Sequence, residues 1–204
     1  MKVVSRQIFK SLSLALSFFF RLSRPVFNLI KRLVYLSKAQ SNVKFSIPVS
    51  SQFDGELQII GTGNVTWGEH CRFGKDVVLE TQNDGIIELG DNVRINQGSI
   101  LVAHNKVTIG NDCLVGEYCS IRDANHNFEL GEVIRSQSHS CAPITVASDC
   151  WIGRGAVVLK GVTLNEGGVI GANSVVTKDI AENVVAAGIP AKELKRRARS
   201  LLND

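Results

Sequence analysis

Several common sequence signals are missing from this chain of 204 residues. It has no GxxxxGK(S/T) phosphate loop and no Rossmann fingerprint, which argues against the usual nucleotide-binding folds. Aromatic residues make up only 6% of the sequence, as expected for an interior that admits mainly Ile, Val, Leu and small side chains. The five cysteines include no CxxC pair, so neither a disulfide framework nor a zinc site is indicated.

Acidic residues are absent from positions 1–40, which carry eight basic residues and hence a charge of +8. The net charge of the whole chain is +4, so the remaining residues together carry −4. The basic character therefore belongs to the N-terminal segment, and an acidic body argues against nucleic-acid binding.

The stretch from Trp151 to Ile180 repeats every six residues. An aliphatic residue begins each block, at Ile152, Val158, Leu164, Ile170 and Val176. A small or branched residue follows four places later, at Ala156, Val162, Gly168 and Ser174. This fixed period fits neither a helix of 3.6 residues per turn nor an alternating hairpin, and it is typical of a parallel β-helix.

Cys71, Cys113, Cys119 and Cys150 fall at the small inward position of other blocks, and only Cys141 lies outside the pattern. Free cysteines that fill space in this way predict a reduced, cytosolic protein.

The N-terminal segment predicts two basic amphipathic helices. No signal-peptide cleavage site follows the first of them, and its apolar run, Leu12–Phe20, is too short to span a bilayer. Ser23-Arg24-Pro25 predicts a break, and a second helix follows from Val26 to Lys38. Two interpretations stay open: these helices lie on an anionic membrane, or they cap the open end of the β-helix.

Three regions are predicted along the chain. Residues 1–50 form the basic helices and a linker, residues 51–189 form the β-helix, and residues 190–204 form a short C-terminal helix. Residues 127–143 break the six-residue period and are expected to leave the β-helix as a loop, where function often concentrates.

The six-residue blocks are not the only recognisable feature. The chain also carries His126 at the root of the irregular loop, the stretch PITVASDCWIG from Pro143, and the closing segments VTKDI and AGIPAK. Over about 57–197 these features together resemble the left-handed β-helix acyltransferases. The nearest branch is that of maltose and galactoside O-acetyltransferases and the enzymes that acetylate capsule or exopolysaccharide sugars. The resemblance implies a homotrimer that uses acetyl-CoA at sites between subunits, without a metal.

The resemblance also implies roles for particular residues. By this resemblance His126 is the general base. Asp123 is a candidate partner that fixes its tautomer because it lies three residues before His126, with a solvated turn residue as the alternative. His104 and Trp151 are expected at the acceptor, although His104 stands where the family carries an acidic residue, which argues against maltose and galactosides themselves. The acetyl-CoA cleft is expected to include Asn96, Arg154, Ala172, Thr177, Lys178, Lys192 and Lys195.

The functional prediction is an acetyl-CoA-dependent O-acetyltransferase acting on a hydroxyl group of a sugar in capsule, exopolysaccharide or lipopolysaccharide synthesis. It is expected in the cytoplasm, with peripheral membrane contact through residues 1–40. N-acetylation of an amino sugar or nucleotide sugar is the alternative. A β-helix metalloenzyme would need three metal-ligating histidines, and the spacing of His70, His104, His126 and His139 does not suggest such a set.

Overall fold

The computed structural model describes residues 2–198, which begin with one long helix. Helix α1 spans Lys2–Ser41 without interruption. The predicted break at Ser23-Arg24-Pro25 is therefore wrong. Pro25 lies inside the helix, where it removes one backbone hydrogen bond while the turns on either side persist. Within the described range, no helix has both the length and the apolar content needed to cross a bilayer.

The chain beyond α1 winds through about seven turns of a left-handed parallel β-helix, which confirms the predicted fold. The first face contains β1 (Gln52–Phe53), β4 (Arg72–Phe73), β7 (Arg94–Ile95), β10 (Leu114–Val115), β15 (Trp151–Ile152), β18 (Val169–Ile170), β20 (Val184–Gly188) and β21 (Ala191–Arg196). The second face contains β2 (Leu57–Gly61), β5 (Val77–Thr81), β8 (Ile100–Ala103), β11 (Ser120–Arg122), β16 (Val157–Val158) and β19 (Val175–Val176). The third face contains β3 (Val65–Trp67), β6 (Ile86–Leu89), β9 (Lys106–Ile109), β14 (Ile144–Val146) and β17 (Thr163–Leu164).

The core consists of columns of side chains that stack from coil to coil. On the first face, consecutive strand registers align Phe73, Ile95, Val115, Ile152 and Ile170, all of them buried. The inward positions predicted from the six-residue period are buried as well, and so are the four cysteines assigned to them. Burying each large aliphatic side chain contributes about 1.5–3 kcal/mol, so these columns are the main source of stability.

Asparagine and aspartate residues make the tight corners between faces. Asn92, Asp112, Asp149 and Asn173 all have φ between 55° and 59°. This left-handed backbone region is unfavourable for most residues, but Asn and Asp tolerate it because their short polar side chains bond locally. The corners therefore stay short, and each strand arrives directly above the corresponding strand of the preceding coil.

The end of α1 covers the N-terminal end of the β-helix. Ala39 is buried, and Tyr35 and Leu36 pack against the same core. Below them, Trp67 meets Phe45 with ring centroids 4.9 Å apart and donates its indole N–H to Ser51 Oγ at 2.9 Å. Most of the few aromatic side chains of the β-helix core gather at this end, where they close the first coil.

A strand, and not a helix, covers part of the C-terminal end. Strand β21 pairs antiparallel with β20, so the predicted C-terminal helix is wrong for Ala191–Arg196. The backbone groups along the open edge of β20 need partners, and a strand that folds back on the turn at Gly188–Pro190 supplies them. The part of that prediction at residues 199–204 lies outside the described residues.

An arm leaves the β-helix between the second and third faces. Strands β12 (Ala124–His126) and β13 (His139–Cys141) pair antiparallel and form its base. The outer part of the arm contains a single 3-10 turn, Ile134–Ser136. The irregular loop predicted from the sequence is therefore anchored by a two-stranded ladder.

Substitution of two adjacent isoleucines of β6 tests the stacking of inward side chains between coils. Ile87 is fully buried and Ile86 is 36% exposed. We expect Ile87→Ala to lower the free energy of unfolding by about 2–5 kcal/mol, because it leaves a cavity in a stacked column. Ile86→Ala should cost less than half as much in the same denaturant titration. Equal losses would contradict the assignment of the inward face.

Candidate active site

Three imidazole rings meet at the base of the arm. The ladder between β12 and β13 places His126 directly opposite His139, and their ring centroids are 4.1 Å apart. The ring of His139 also contacts that of His104, at 4.7 Å between centroids. His104 lies on the corner of the preceding coil, just after β8, so the stack joins the arm to the body of the β-helix.

Asp123 holds this corner together from inside. Its side chain is fully buried, and its two carboxylate oxygens accept the backbone N–H groups of His104 and Asn105, each at 2.7 Å. Its own carbonyl accepts the N–H of Ala142 at 2.9 Å, which ties the returning end of the arm to the same point. Asp123 therefore positions the backbone that carries His104, and the expected contact with the His126 imidazole is replaced by these two bonds.

His139 is the residue that sequence reasoning missed. It lies 13 positions after His126 in an irregular segment, and only the antiparallel ladder brings the two rings together. Desolvation lowers the pKa of His139 below its usual 6.5, and the neighbouring rings of His126 and His104 lower it further. The surroundings of His139 thus favour its neutral form.

A second group of predicted residues lies on the opposite edge of the second face. Asn96, Arg154 and Ala172 follow strands β7, β15 and β18, on the corner between the first and second faces. The Oδ1 atom of Asn96 accepts the Nε–H of Arg94 at 3.0 Å. The guanidinium of Arg154 lies 5.5 Å from the centre of the Tyr118 ring.

The remaining predicted residues lie either on the histidine corner or on strands of the first face. Thr177 and Lys178 follow β19, on the same corner line as the histidines. Trp151 is exposed on β15 of the first face, and Lys192 and Lys195 are exposed on β21. Strand β8 separates Asn96 from His104, and four residues of strand span about 13 Å. Asn96 and His104 therefore lie on opposite edges of the second face of one chain.

Comparison with known proteins places this site in context. Residues 143–178 match the family described as the hexapeptide repeat of succinyl-transferase. The chain is 32% identical to WbbJ of Escherichia coli K12, named as a lipopolysaccharide biosynthesis O-acetyl transferase, over 66% of this chain and 72% of WbbJ. It is 36% identical to E. coli K12 galactoside O-acetyltransferase, although it spans only about half of that protein, 53% of each chain being covered. An E. coli dTDP-4-amino-4,6-dideoxy-D-glucose acyltransferase is 29% identical over 77% of this chain and 84% of the relative.

Solved structures show the same architecture. The hexapeptide-repeat acetyltransferase VCA0836 of Vibrio cholerae, complexed with acetyl-CoA, superposes with a TM-score of 0.51 and 27% identity, covering 72% of this chain and 70% of that one. The polySia-specific acetyltransferase NeuO superposes with a TM-score of 0.53 and 25% identity over 78% of each chain. The N-acyltransferase AntD of Bacillus cereus, at 15% identity and a TM-score of 0.67 over 75% of this chain and 83% of AntD, shares the fold.

The histidine stack predicts a measurable titration. We expect NMR to give His139 a pKa below 6.5, because desolvation and two imidazole neighbours disfavour its protonated form. His126→Ala should raise that pKa part of the way towards 6.5. Folding lowers this pKa, so the contribution of His139 to stability is present above pH 6.5 and is lost as the pH falls through the lower folded-state value. The control His70→Asn, at a distant corner, should leave the titration of His139 unchanged, and an unshifted pKa in the parent protein would show that the stack does not form.

Proposed function

Because this chain belongs to the hexapeptide-repeat acyltransferases, we propose that it transfers the acetyl group of acetyl-CoA to a hydroxyl group of a sugar. The catalytic unit is the β-helix of residues 51–189. The observation that carries the proposal is the placement of His126, an exposed imidazole in the two-stranded ladder at the root of the arm. The match to WbbJ supports a glycan of the cell envelope as the acceptor.

His126 acts as the general base in this proposal. Its imidazole takes the proton of the sugar hydroxyl while that oxygen attacks the carbonyl carbon of the thioester. The carbon–sulfur bond then breaks, and the imidazolium returns the proton to the departing thiolate. No acyl-enzyme intermediate is required, since the thioester is already activated.

The stack explains how His126 is held for this step. His139 lies against its ring, and Asp123 fixes the corner that carries His104. Desolvation and the nearby rings of His126 and His104 lower the pKa of His139, so the neutral form of His139 is favoured where it packs against His126. His139 and His104 are therefore positioning residues, with His104 also facing the acceptor.

A homotrimer would complete the site. The corner with Asn96, Arg154 and Ala172 on one subunit would face the histidine corner, with Thr177 and Lys178, on its neighbour. Lys178, Lys192 and Lys195 supply the positive charge that the phosphates of acetyl-CoA require. Trp151, an exposed ring on the flat first face, would line the wall of this intersubunit cleft.

N-acylation of an amino sugar is the second candidate. The relative that acts on dTDP-4-amino-4,6-dideoxy-D-glucose aligns over 84% of its own length, more than WbbJ does.

Mass spectrometry of envelope glycans, from cells with and without the gene, should reveal one added acetyl group. Mild alkali removes an O-acetyl ester and leaves an N-acetyl amide, so retention of the group after alkali would establish the second candidate.

Helix α1 is proposed to hold the enzyme at an anionic membrane surface. Tyr35, Leu36 and Ala39 dock on the β-helix. The apolar stripe of Val26, Ile30, Leu33 and Val34 is between 47% and 60% exposed and continues towards the N-terminus through Phe19 and Leu12. The cap and the membrane contact thus use different sides of one helix. An exposed apolar stripe on an acid-free basic helix is typical of interfacial binding.

The role of His126 is tested by substitution. We expect His126→Ala to reduce acetyl transfer by at least about 100-fold, the usual contribution of a general base. Acetyl-CoA binding and the unfolding temperature should stay close to those of the parent. His70→Asn is the matched control and should keep full activity. Retained turnover in His126→Ala would remove this imidazole from the mechanism.

The membrane contact is tested by vesicle co-sedimentation. Ile30→Glu with Val34→Glu should abolish binding to vesicles containing phosphatidylglycerol, because both carboxylates would enter the apolar layer. Ser13→Glu with Ser17→Glu adds the same charge elsewhere on the helix and should weaken binding less. Equal losses would show attraction by charge alone, without insertion of the stripe.

A further inference from the structure

A cleft separates α1 from the first coil of the β-helix. It has a volume of about 670 Å³ and lies between the helix and the strands β1 and β4. From the helix side it is lined by Arg24, Lys31, Arg32 and Tyr35, and from the β-helix side by Asp54 and Arg72. None of these residues belongs to the candidate active site described above.

The charges that line this cleft do not balance. Asp54 is the single acid among the lining residues, and both of its oxygens are engaged by Arg72, at 2.9 and 3.0 Å. Arg32 donates to the carbonyl of Val49 at 2.7 Å, which fixes its side chain but leaves its charge uncompensated. Among the ion pairs formed within residues 2–198, none includes Arg24 or Lys31. The lining therefore carries a net charge of +3 in a concave surface, which concentrates a positive potential.

The side chains that line this cleft are suited to binding a phosphate group. Guanidinium groups donate paired hydrogen bonds to phosphate oxygens, and Lys31 adds a point charge. Tyr35 and Asn28 add uncharged donors to the same cleft. The volume exceeds what one inorganic phosphate would fill and leaves space for a diphosphate.

The cleft also leads towards the active site. Asp54 lines a second, smaller cleft of about 340 Å³, together with Lys75, Arg94, Asn96 and Glu117. A polar track thus runs from α1 to the corner that carries Asn96. We propose that the cleft beside α1 binds a phosphate or diphosphate group of the acceptor, so that the sugar being acetylated is a phosphate-linked precursor. The identity of the acceptor rests on the proposed function, whereas phosphate binding by the cleft does not.

A membrane headgroup is the other possible source of phosphate, and the geometry disfavours it. The cleft lies on the side of α1 that faces the β-helix, whereas the stripe of Val26, Ile30, Leu33 and Val34 faces away from it. A headgroup would have to pass around the helix to reach Arg24 and Lys31. A soluble or extended phosphate-linked substrate can enter along the track from Asn96.

Calorimetric titration of the full chain with inorganic pyrophosphate tests the site. We expect saturable binding with one site per chain, weakened at least about tenfold by Arg24→Gln with Lys31→Gln, because both uncompensated charges are lost. Lys10→Gln with Lys106→Gln removes two cations outside the cleft and should leave the affinity within about twofold at the same ionic strength. No saturable binding, or equal losses in both double variants, would overturn the site.

Two further experiments identify the source of the phosphate and separate this site from the proposed function. Vesicles of phosphatidylglycerol that displace pyrophosphate, where phosphatidylcholine vesicles do not, would overturn the assignment to the acceptor and identify a headgroup site. If pyrophosphate binds equally well in the presence of either kind of vesicle, the assignment of the cleft to the acceptor is supported. His126→Ala should bind pyrophosphate like the parent while losing acetyl transfer. Pyrophosphate binding without any acetyl transfer by the parent would leave the site standing and refute the proposed function.

Discussion

The register between successive coils is the constraint on which the rest of this structure depends. Each inward side chain must lie above its equivalent in the coil below, as Phe73, Ile95 and Val115 do on the first face. An extra residue inside a strand would turn every following side chain to the other side of the sheet. Insertions are therefore tolerated at corners, and the arm that carries His139 leaves the β-helix at one of them.

This constraint also decides where chemistry can take place. The interior is filled with aliphatic and small side chains, so groups that exchange protons or bind phosphate lie on the corners and outer faces. Among the described residues, Asp123 is the one buried carboxylate, and it accepts backbone N–H groups of the corner. The arm and the neighbouring coil together bring the three imidazoles into contact, while the width of the second face keeps them away from Asn96. This separation within one chain is the reason why the proposed function places the site between two chains.

Helix α1 caps this scaffold and is also its proposed contact with a membrane. It uses one side near its C-terminal end to cover the first coil, and this leaves an apolar stripe outward and a basic cleft inward. The two surfaces face in different directions, so membrane contact and phosphate binding need not compete. Capping and surface attachment, which the sequence presents as alternatives, are compatible within one helix.

Sequence periodicity was sufficient for much of the fold because a β-helix is built from local repetition. The inward positions from Ile152 to Val176, the packing role of four cysteines and the loop root at His126 all follow from a six-residue period that needs no distant partner. One prediction failed where a distant partner outweighs local preference: Ala191–Arg196 forms a strand because the open edge of β20 requires hydrogen bonds. Pro25 is exposed and stays within α1 because the helix loses only one backbone hydrogen bond there.

The candidate site, like the fold, has features that the sequence encodes and features that arise only from packing. The residue types and their order along the chain, including His126 and the basic residues after Thr177, are properties of the sequence by itself. Only the tertiary structure brought His139 against His126, turned Asp123 towards the backbone of His104, and set Arg24 and Lys31 opposite Arg72. Those contacts join residues 13 to 48 positions apart, and no local pattern encodes them because they depend on how the coils, the arm and the helix pack in space.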